Sequence, residues 1–314
     1  MKNYNILIPG AGGFAAVNAI KSLKMSGFKG KIITSDSNPL SVGFYLADVY
    51  YVLPKSDDAN FIEKSIEVIK KENIEIILPT SGFDIIQYSL HKKDLKELGV
   101  TCFFSDYNEI EICNNKFEFY KKIKFDFPIP GYSISINEHI DYPIFIKPII
   151  GKGSRNTFIC RNEEELEYIN SNYSNMLYCE FLPGKEYTID VLSDMSGRAI
   201  CAIPRERIET KAGISFKGKV VNNSYMKKIC MDLANYIGLK GPTCMQMKED
   251  VNGVLKFIEV NPRLGGGTIM ASLAGVNIPA LILKLYSKEP ILEEDFEFNE
   301  ITVLRHYEEI VIRN

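Results

Sequence analysis

The sequence predicts an α/β unit followed by an α+β region, and three observations support this fold class. In the first hundred residues, short apolar strand patterns alternate with amphipathic helix patterns. These strands are apolar without polar alternation, which is typical of a parallel sheet covered on both faces. In the later part of the chain strand patterns dominate, and Asn252-Gly253 marks a β-hairpin. The 314 residues are enough for at least two packed units.

The N-terminal unit alternates strand and helix from its start. Its predicted strands are "YNILIP", "KIITSD", "DVYYVL", "IEIILPTS" and "VTCFFS". Its predicted helices are "AAVNAIKSLKMSG", "NFIEKSIEVIKKEN" and, as one continuous helix, "DIIQYSLHKKDLKELG". In the first helix Ala16, Ala19, Ile20 and Leu23 share one face, and Gly27 is the predicted stop.

The second region begins with one or two helices in "SDYNEIEICNNKFEFYKKIKF", followed by a proline-marked crossing, "FPIPGYS". Strands are predicted in "PIFIKPI", "NTFICRN", "MLYCEFLPGKEYTIDVLS", "RAICAIPRERIET", the hairpin "TCMQMKEDVNGVLKFIEV" and "ITVLRHYEEIVI". Helices are predicted in "EEELEYINSNY", "NSYMKKICMDLANYIG" and "IPALILKLY". "GISFKGKV" has the spacing of a phosphate-binding P-loop, but Val220 stands where a hydroxyl is needed. We therefore interpret it as a loop, with Lys217 and Lys219 available to anions or simply solvated.

Composition narrows the class of ligand. A net charge of -3 and a pI near 5.8 give no basic field for nucleic acid or anionic membranes, so we expect small-molecule ligands. Seven scattered cysteines without a CxxC pair fit reduced thiols. No apolar run approaches the ~20 residues of a membrane span, and the N-terminus lacks a signal-peptide pattern. We expect a cytoplasmic protein.

The stretch "GAGGFA", Gly10 to Ala15, matches the GxGxxA pattern between a strand and a helix. Asp36 ends the next strand, at the position where dinucleotide-binding proteins hold ribose. One hypothesis is therefore an NAD-binding loop. The alternative is that the glycines let the helix pack closely on the sheet.

The strand in "FIEVNPRLGGG" carries oxygen ligands. Strict alternation places Phe257, Glu259 and Asn261 on one face, and Ile258 and Val260 on the other. An acid and an amide on one face suit Mg²⁺.

Two more polar residues join them. Gln246, on the partner strand of the hairpin, is expected close by, and Pro262 ends the strand so that Arg263 can meet a phosphoryl oxygen. The alternative is a hairpin rim with a solvated arginine.

"FIKPIIGKGSRN" places Lys147 at the end of an apolar strand, before a loop with Gly151, Gly153 and Ser154. Such a loop can lay backbone N–H groups along phosphates, or it can be the glycine-rich tip of a surface hairpin. "CEFLPGKE" adds Glu180 and Glu186 around a Pro-Gly linker between strands.

In chain order, Lys116, Lys147, "GKGSRN", "CEFLPGKE", Gln246 and "EVNPR" resemble the ATP-grasp superfamily, most nearly the branch of the carbamoyl phosphate synthase large subunit. The resemblance implies a Rossmann-like preATP-grasp domain with a parallel sheet at residues 1–107. It implies a two-lobed ATP-grasp fold behind it, with a small lobe and phosphate loop at 108–182 and a large lobe with the metal and acceptor site at 183–314. Two departures are Asn115, where many relatives have Asp, and Gln246, where many have a carboxylate.

The resemblance also implies roles for individual residues. The residues implied to contact ATP are Lys116, Lys147, Gly151, Gly153, Ser154, Glu180, Phe181, Leu182, Glu186 and Arg205. The implied ligands of one or two Mg²⁺ ions, for which Mn²⁺ can substitute, are Gln246, Glu259 and Asn261, and the implied catalytic residues are Arg263, Glu259 and Asn261. The implied acceptor residues are Gly12, Gly13, Arg207, Gly266 and Gly267.

The activity implied is an ATP-dependent ligase that joins a small carboxylate to an amine through an acyl phosphate, in a homodimer formed through the N-terminal unit. Two other hypotheses stay open at this point. One is an NAD-dependent oxidoreductase built on "GAGGFA"; the other is a regulatory module that binds ATP without turnover. A complete carbamoyl phosphate synthase is not expected, because that reaction in the related enzymes uses two such ATP units and an ammonia supply, and this chain has room for one unit.

Overall fold

The computed structural model describes residues 3–135, 141–153 and 155–312, and this part of the chain contains three β-sheets. The first sheet is parallel throughout, with strand order β3-β2-β1-β4-β5. Its strands are β1 (Asn5–Pro9), β2 (Lys31–Asp36), β3 (Val49–Val52), β4 (Ile76–Ile77) and β5 (Thr101–Cys102). The helices between them are α1 (Phe14–Met25), α2 (Phe61–Glu72), α3 (Asp84–Leu90) and α4 (Lys92–Glu97). The predicted α/β unit is confirmed.

One helix of this unit differs from its prediction. The stretch "DIIQYSLHKKDLKELG" forms two helices, α3 and α4, rather than one. His91 between them has φ -101° and ψ 17°, which is outside the α-helical region. The apolar spacing continues across the break, so the period alone did not reveal it.

Both faces of the first sheet are buried. Ile6 and Ile8 of β1 pack in one core with α1 and, from much later in the chain, with Val276 and Ile282. On the opposite face, Leu7 belongs to a core formed with α2 and α3. Burial on both faces explains why these strands show no polar alternation.

The second sheet is antiparallel and small, with strand order β6-β9-β7-β8. Two helices, α5 (Tyr107–Asn114) and α6 (Lys116–Ile123), precede it. Its strands are β6 (Tyr132–Ser133), β7 (Ile144–Pro148), β8 (Phe158–Cys160) and β9 (Met176–Glu180), with α7 (Glu163–Asn172) between the last two.

The third sheet is also antiparallel, with strand order β14-β13-β10-β11-β12-β15. Its strands are β10 (Glu186–Ser193), β11 (Ala199–Lys211), β12 (Ile214–Val220), β13 (Gly241–Glu249), β14 (Leu255–Asn261) and β15 (Thr302–Leu304). The helices of this region are α8 (Ser224–Ile237), α9 (Ile269–Ala274) and α10 (Ile278–Ser287), and short 3₁₀ turns lie at Val42–Tyr45 and Glu293–Phe296. One face of the sheet forms a core with α6 and α8.

Two predictions in this region are wrong. "GISFKGKV" is not a loop but strand β12, paired with β11 through a turn in which Ala212 and Gly213 both have positive φ. The last strand is three residues long and ends at Leu304, so "RHYEEIVI" is outside it. In the described ranges, no helix combines the length and the apolar character needed to cross a membrane.

Candidate active site

Two cavities adjoin where the three sheets meet. The larger, about 650 Å³, lies between the third sheet and the loops that follow β1, β2 and β4. The smaller, about 170 Å³, lies between the second and third sheets. Lys152, Gly153, Gln246 and Glu259 line both. The carboxyl ends of parallel strands are the usual ligand edge of an open α/β sheet, and here that edge faces the junction.

Most residues predicted to contact ATP line the smaller cavity. They are Lys116, Lys147, Gly151, Gly153, Glu180, Phe181, Leu182 and Glu186. Arg205 instead lines the larger cavity, and Ser154 lies outside the described residues. Apolar side chains such as Phe145 and Ile159 complete the smaller cavity, as suits a flat aromatic ligand.

Two buried lysines supply its positive charge. The Lys147 ammonium donates to the Tyr120 hydroxyl at 2.9 Å and to the Ile258 carbonyl at 2.8 Å. The Lys116 ammonium donates to the Gly151 carbonyl at 2.9 Å. Burial lowers the pKa of Lys116, against the attraction of Glu259. In the described ranges neither ammonium has a carboxylate within 4.0 Å, so each can receive an anionic ligand.

Asn115, which stands where many relatives have Asp, keeps a helix-capping role. Its side chain caps α6 by accepting from the backbone N–H groups of Phe117 and Glu118, both at 3.1 Å. An aspartate would cap a helix equally well. The substitution therefore leaves Lys116 fixed at the first turn of α6.

The linker after β9 offers backbone groups to the smaller cavity. The carboxylate of Glu180 accepts from the Lys256 ammonium at 2.6 and 2.8 Å and from the Gly131 N–H at 3.0 Å. The backbone N–H groups of Phe181 and Leu182 have no hydrogen-bond partner within the described part of the chain. This arrangement anchors the linker through the Glu180 side chain and leaves the next two N–H groups available to a ligand.

Strict alternation along β14 is interrupted by a β-bulge. Gln246 pairs with Glu259, but Met247 pairs with Phe257, so Ile258 has no partner on β13. Phe257 is fully buried in the core and does not share the face of Glu259, so that prediction is wrong.

The bulge has a consequence for the smaller cavity. Because Ile258 is displaced from the ladder, its carbonyl accepts from both Lys147 and the Tyr120 hydroxyl. Glu259 and Asn261 still face the cavities.

The predicted metal ligands are grouped at the junction. Gln246 and Glu259 are paired across neighbouring strands, and the Asn261 amide donates to Glu259 Oε1 at 3.0 Å. The set holds one carboxylate and two amide oxygens. Over the residues that the structure covers, no group of three His, Cys, Asp or Glu side chains could hold a metal ion. Such a set fits Mg²⁺ when substrate phosphates and water complete the shell.

Arg263 lies beside a cation that sequence analysis did not single out. Its Nη1 donates to the Leu264 carbonyl at 2.8 Å. Lys152, from the predicted phosphate loop, donates to the Gly82 carbonyl, and its ammonium lies 4.2 Å from the centre of the Phe83 ring. Burial and the nearby Arg263 lower the pKa of Lys152 to about 8. The sequence signal that could have identified Lys152 is its position between Gly151 and Gly153.

The basic residues of β11 are held by acids. Arg205, with a side chain only 2% exposed, pairs through Nε with Asp190 at 2.6 Å. Arg207 Nε lies 3.1 Å from Glu186 Oε1, so Glu186, an implied ATP contact, is next to an arginine of the larger cavity.

Three of the four glycines predicted as acceptor residues line the larger cavity. Gly13, Gly266 and Gly267 line it, whereas Gly12 does not and donates its N–H to Asp36 at 2.7 Å. A Cβ at Gly267 would lie 2.4 Å from Arg205 Nη1. Gly267 is therefore needed for close approach to the guanidinium, besides opening space.

Two acids on the opposite side of the larger cavity were not predicted as substrate residues. Asp36 and Asp84 both line it. Burial, with the neighbouring Asp36, raises the pKa of Asp84 to about 6, although Ser81 donates to it. Sequence patterns could not indicate this shift, because Asp84 comes close to Asp36 and Lys152 only when distant segments of the chain pack together.

Known proteins resemble this chain in two parts. A family described as PylC-like, N-terminal domain, matches residues 6–103, and a family described as ATP-grasp in the biosynthetic pathway with Ter operon matches residues 172–309. The carbamoyl phosphate synthase large chain of Pyrococcus furiosus is 25% identical over 286 residues, which cover 82% of this chain and 27% of that protein. The chain thus spans little more than a quarter of that relative's length.

Solved structures share the fold over nearly the whole chain. The biotin carboxylase domain of 2-oxoglutarate carboxylase from Hydrogenobacter thermophilus, a dimer in complex with MgADP, ADP and bicarbonate, has a TM-score of 0.75 at 20% identity, covering 95% of this chain and 73% of that one. The L-amino acid ligase of Bacillus licheniformis has a TM-score of 0.69 at 15% identity, covering 95% and 78%. The predicted fold class is confirmed. Residues 6–103 therefore match a PylC-like N-terminal domain, and residues 172–309 match an ATP-grasp domain.

Proposed function

We propose that this protein is an ATP- and Mg²⁺-dependent ligase that joins a small carboxylate to an amine through an acyl phosphate. The observation that carries the proposal is the meeting of two cavities at Gln246 and Glu259. The smaller cavity has the cations and the apolar walls that suit a nucleotide. The larger one has room for the two other reactants, with Arg263 at the shared corner.

The smaller cavity would hold ATP. The backbone N–H groups of Phe181 and Leu182 would read the base, and the buried ammonium groups of Lys116 and Lys147 would meet the phosphates. Glu186 would reach the ribose hydroxyls only in competition with Arg207, since the two side chains are 3.1 Å apart. Arg205 has no part in this nucleotide site.

The junction would hold Mg²⁺ through the oxygens of Gln246, Glu259 and Asn261. When bound there, the ion would neutralise charge on the transferring phosphate. A site with a single carboxylate binds Mg²⁺ weakly by itself, so the nucleotide would bring much of the ion's coordination with it.

The chain's own side chains would stabilise charge and exclude water. A carboxylate oxygen of the substrate attacks the γ-phosphorus and ADP leaves; the amine nitrogen then attacks the acyl carbon, phosphate leaves, and the nitrogen loses a proton. Arg263 and Lys152 lie together without a carboxylate partner within 4.0 Å among the described residues, so both can meet the developing phosphoryl charge. The partial enclosure of the junction would protect the acyl phosphate from hydrolysis.

Three further expectations, on the bounds of the functional units, on oligomeric state and on cellular location, belong to the same proposal. We propose functional units at 1–107, 108–182 and 183–314, and a homodimer formed through the first of them. A cytoplasmic location is supported by the seven cysteines, all of which are buried free thiols.

The test uses the purified chain with Mg-ATP and a panel of carboxylates and amines. ADP release that depends on a carboxylate, together with hydroxamate formation when hydroxylamine replaces the amine, is the expected result. ADP release without hydroxamate would contradict the acyl phosphate. No nucleotide turnover with any pair, despite protection by Mg-ATP against thermal unfolding, would favour the non-catalytic module.

A further inference from the structure

The larger cavity has walls of opposite charge. The third sheet contributes a cationic wall, Arg205, Arg207 and Arg263, and the N-terminal unit contributes an acidic wall, Asp36 and Asp84. With a volume of about 650 Å³, the cavity separates the two walls instead of letting them pair directly. A ligand between them meets both signs of charge.

The acidic wall has no cation of its own. In the part of the chain that the structure describes, neither Asp36 nor Asp84 has a lysine, arginine or histidine nitrogen within 4.0 Å. Asp36 accepts from the backbone N–H groups of Gly12 and Asn38, at 2.7 and 2.9 Å. The Lys152 ammonium acts on Asp84 only through space, by lowering the pKa of its carboxyl, and is itself bound to the Gly82 carbonyl. A partly buried carboxylate in this setting is stabilised by an incoming ammonium group.

The cationic wall has free donors. Arg205 bonds to Asp190 only through Nε, and its two terminal nitrogens have no hydrogen-bond partner in the described ranges although its side chain is 2% exposed. The first-turn N–H groups of Phe14 and Ala15, at the start of α1, are likewise unpaired there and line the same cavity. Unpaired N–H groups at a helix N-terminus and a guanidinium fork both favour a carboxylate.

A further arginine reinforces this corner. The Arg305 guanidinium lies 5.7 Å from the centre of the Phe14 ring, and within the described residues no carboxylate is within 4.0 Å of it. Burial and repulsion from Arg205 lower the pKa of Arg305 to about 10. An anion placed beside the two guanidinium groups would relieve this repulsion.

We infer that the amine-bearing substrate is an α-amino acid, with its ammonium against Asp84 and Asp36 and its carboxylate against Arg205 and the start of α1. The inference rests on the proposed ligase activity and deepens it. Asp84 begins α3, close to the corner where Lys152 and Arg263 meet, so this orientation places the nitrogen near the proposed acyl phosphate. A ligand that lacked either charge would leave one wall desolvated without a partner.

The test measures binding to the wild-type chain in the presence of Mg²⁺ and the non-hydrolysable analogue AMP-PNP. The probes are the common L-amino acids and their D-enantiomers, screened by thermal unfolding and then by calorimetry. Each amino acid that binds is compared with its deaminated and its decarboxylated analogue. We expect at least one to bind, and removal of either group to weaken binding by about tenfold or more.

Two variants locate the ammonium site. Asp84→Asn should reduce the preference for the amino acid over its deaminated analogue by about tenfold, while protection by Mg–AMP-PNP stays at the wild-type level. Asp57→Asn is the matched control, because Asp57 is an exposed acid at the rim of the same cavity. If Asp84→Asn does not fold, the comparison of analogues on the wild-type chain decides.

The outcomes separate this inference from the proposed function. Protection by Mg–AMP-PNP with no binding of any amino acid would overturn the inference and leave the ligase standing. Equal binding of an amino acid and its deaminated analogue would overturn it too. Absence of protection by Mg–AMP-PNP would remove the proposed function and this inference with it.

Discussion

The smaller and larger cavities differ in the origin of their walls. The smaller cavity is lined by short motifs that can be recognised in the sequence, such as Lys147 after an apolar strand and the "CEFLP" linker. The larger is assembled from single residues of distant segments, including Asp36, Asp84 and Arg205. Local sequence motifs can form a nucleotide site, whereas a site for a variable substrate depends on tertiary packing.

The junction that both cavities share should give the largest effect. Glu259→Gln removes the only carboxylate of the proposed metal set, and we expect it to lower kcat by about 100-fold or more with any substrate pair. Steady-state ADP release measures this, with Glu63→Gln on the exposed side of α2 as the control. Turnover at the wild-type rate would refute the metal assignment.

A change confined to the smaller cavity should affect ATP alone. Lys147→Met keeps the side-chain length but removes a buried charge that bonds to Tyr120 and Ile258. We expect the KM for ATP to rise by about 30-fold, with little change in amino-acid binding. Lys121→Met, at an exposed position of α6, is the control. An equal loss in both cavities would show that they do not act separately.

A change of pH should affect the larger cavity alone. With its pKa of about 6, Asp84 is mostly ionised at pH 7 and mostly protonated at pH 5, so amino-acid binding should weaken by roughly tenfold over that interval. Three other titratable groups lie near Asp84. Lys152, with a pKa of about 8, remains largely protonated between pH 5 and pH 7, and burial raises the pKa of Tyr88 so that it stays neutral. Asp36 belongs to the same acidic wall of the larger cavity. Calorimetry at both pH values measures the change. Asp84→Asn should remove most of it, and an unchanged pH dependence in this variant would contradict the role of Asp84.

The smallest effect concerns the cap of α6. Asn115→Asp restores the residue of many relatives and keeps the cap, so the free energy of unfolding should change by no more than about 0.5 kcal/mol, whereas Asn115→Ala should lose about 1 kcal/mol. Chemical denaturation measures both. If the aspartate variant lost as much as the alanine variant, the cap would not explain this departure from the family pattern.

Sequence reasoning predicted the features that depend on short-range sequence patterns. The Asn252-Gly253 hairpin, the two-sided burial of the first sheet and the placing of Gln246 opposite Glu259 all follow from period and turn chemistry. The α/β and α+β order followed from the same signals.

The remainder depended on contacts between distant residues. The bulge at Ile258 shifts alternation without any glycine or proline to mark it. Strand β12 looked like a phosphate loop because Gly213 and Gly218 gave the right spacing, whereas one forms a turn and the other leaves room for Met270. The burial of Asp84 and the pairing of Arg205 with Asp190 appear only when the sheets are assembled.

The core that joins α1 and the first sheet to α9 and α10 limits modular exchange of the N-terminal unit. Ile20 and Leu23 of α1 pack in one cluster with Val276 and Ile282, more than 250 positions away in the sequence. A chimaera that took only the PylC-like segment from a relative would set one half of this interface against a foreign partner. Recombination between such proteins would therefore have to exchange α9 and α10 together with the first hundred residues, although these two segments lie far apart in the sequence.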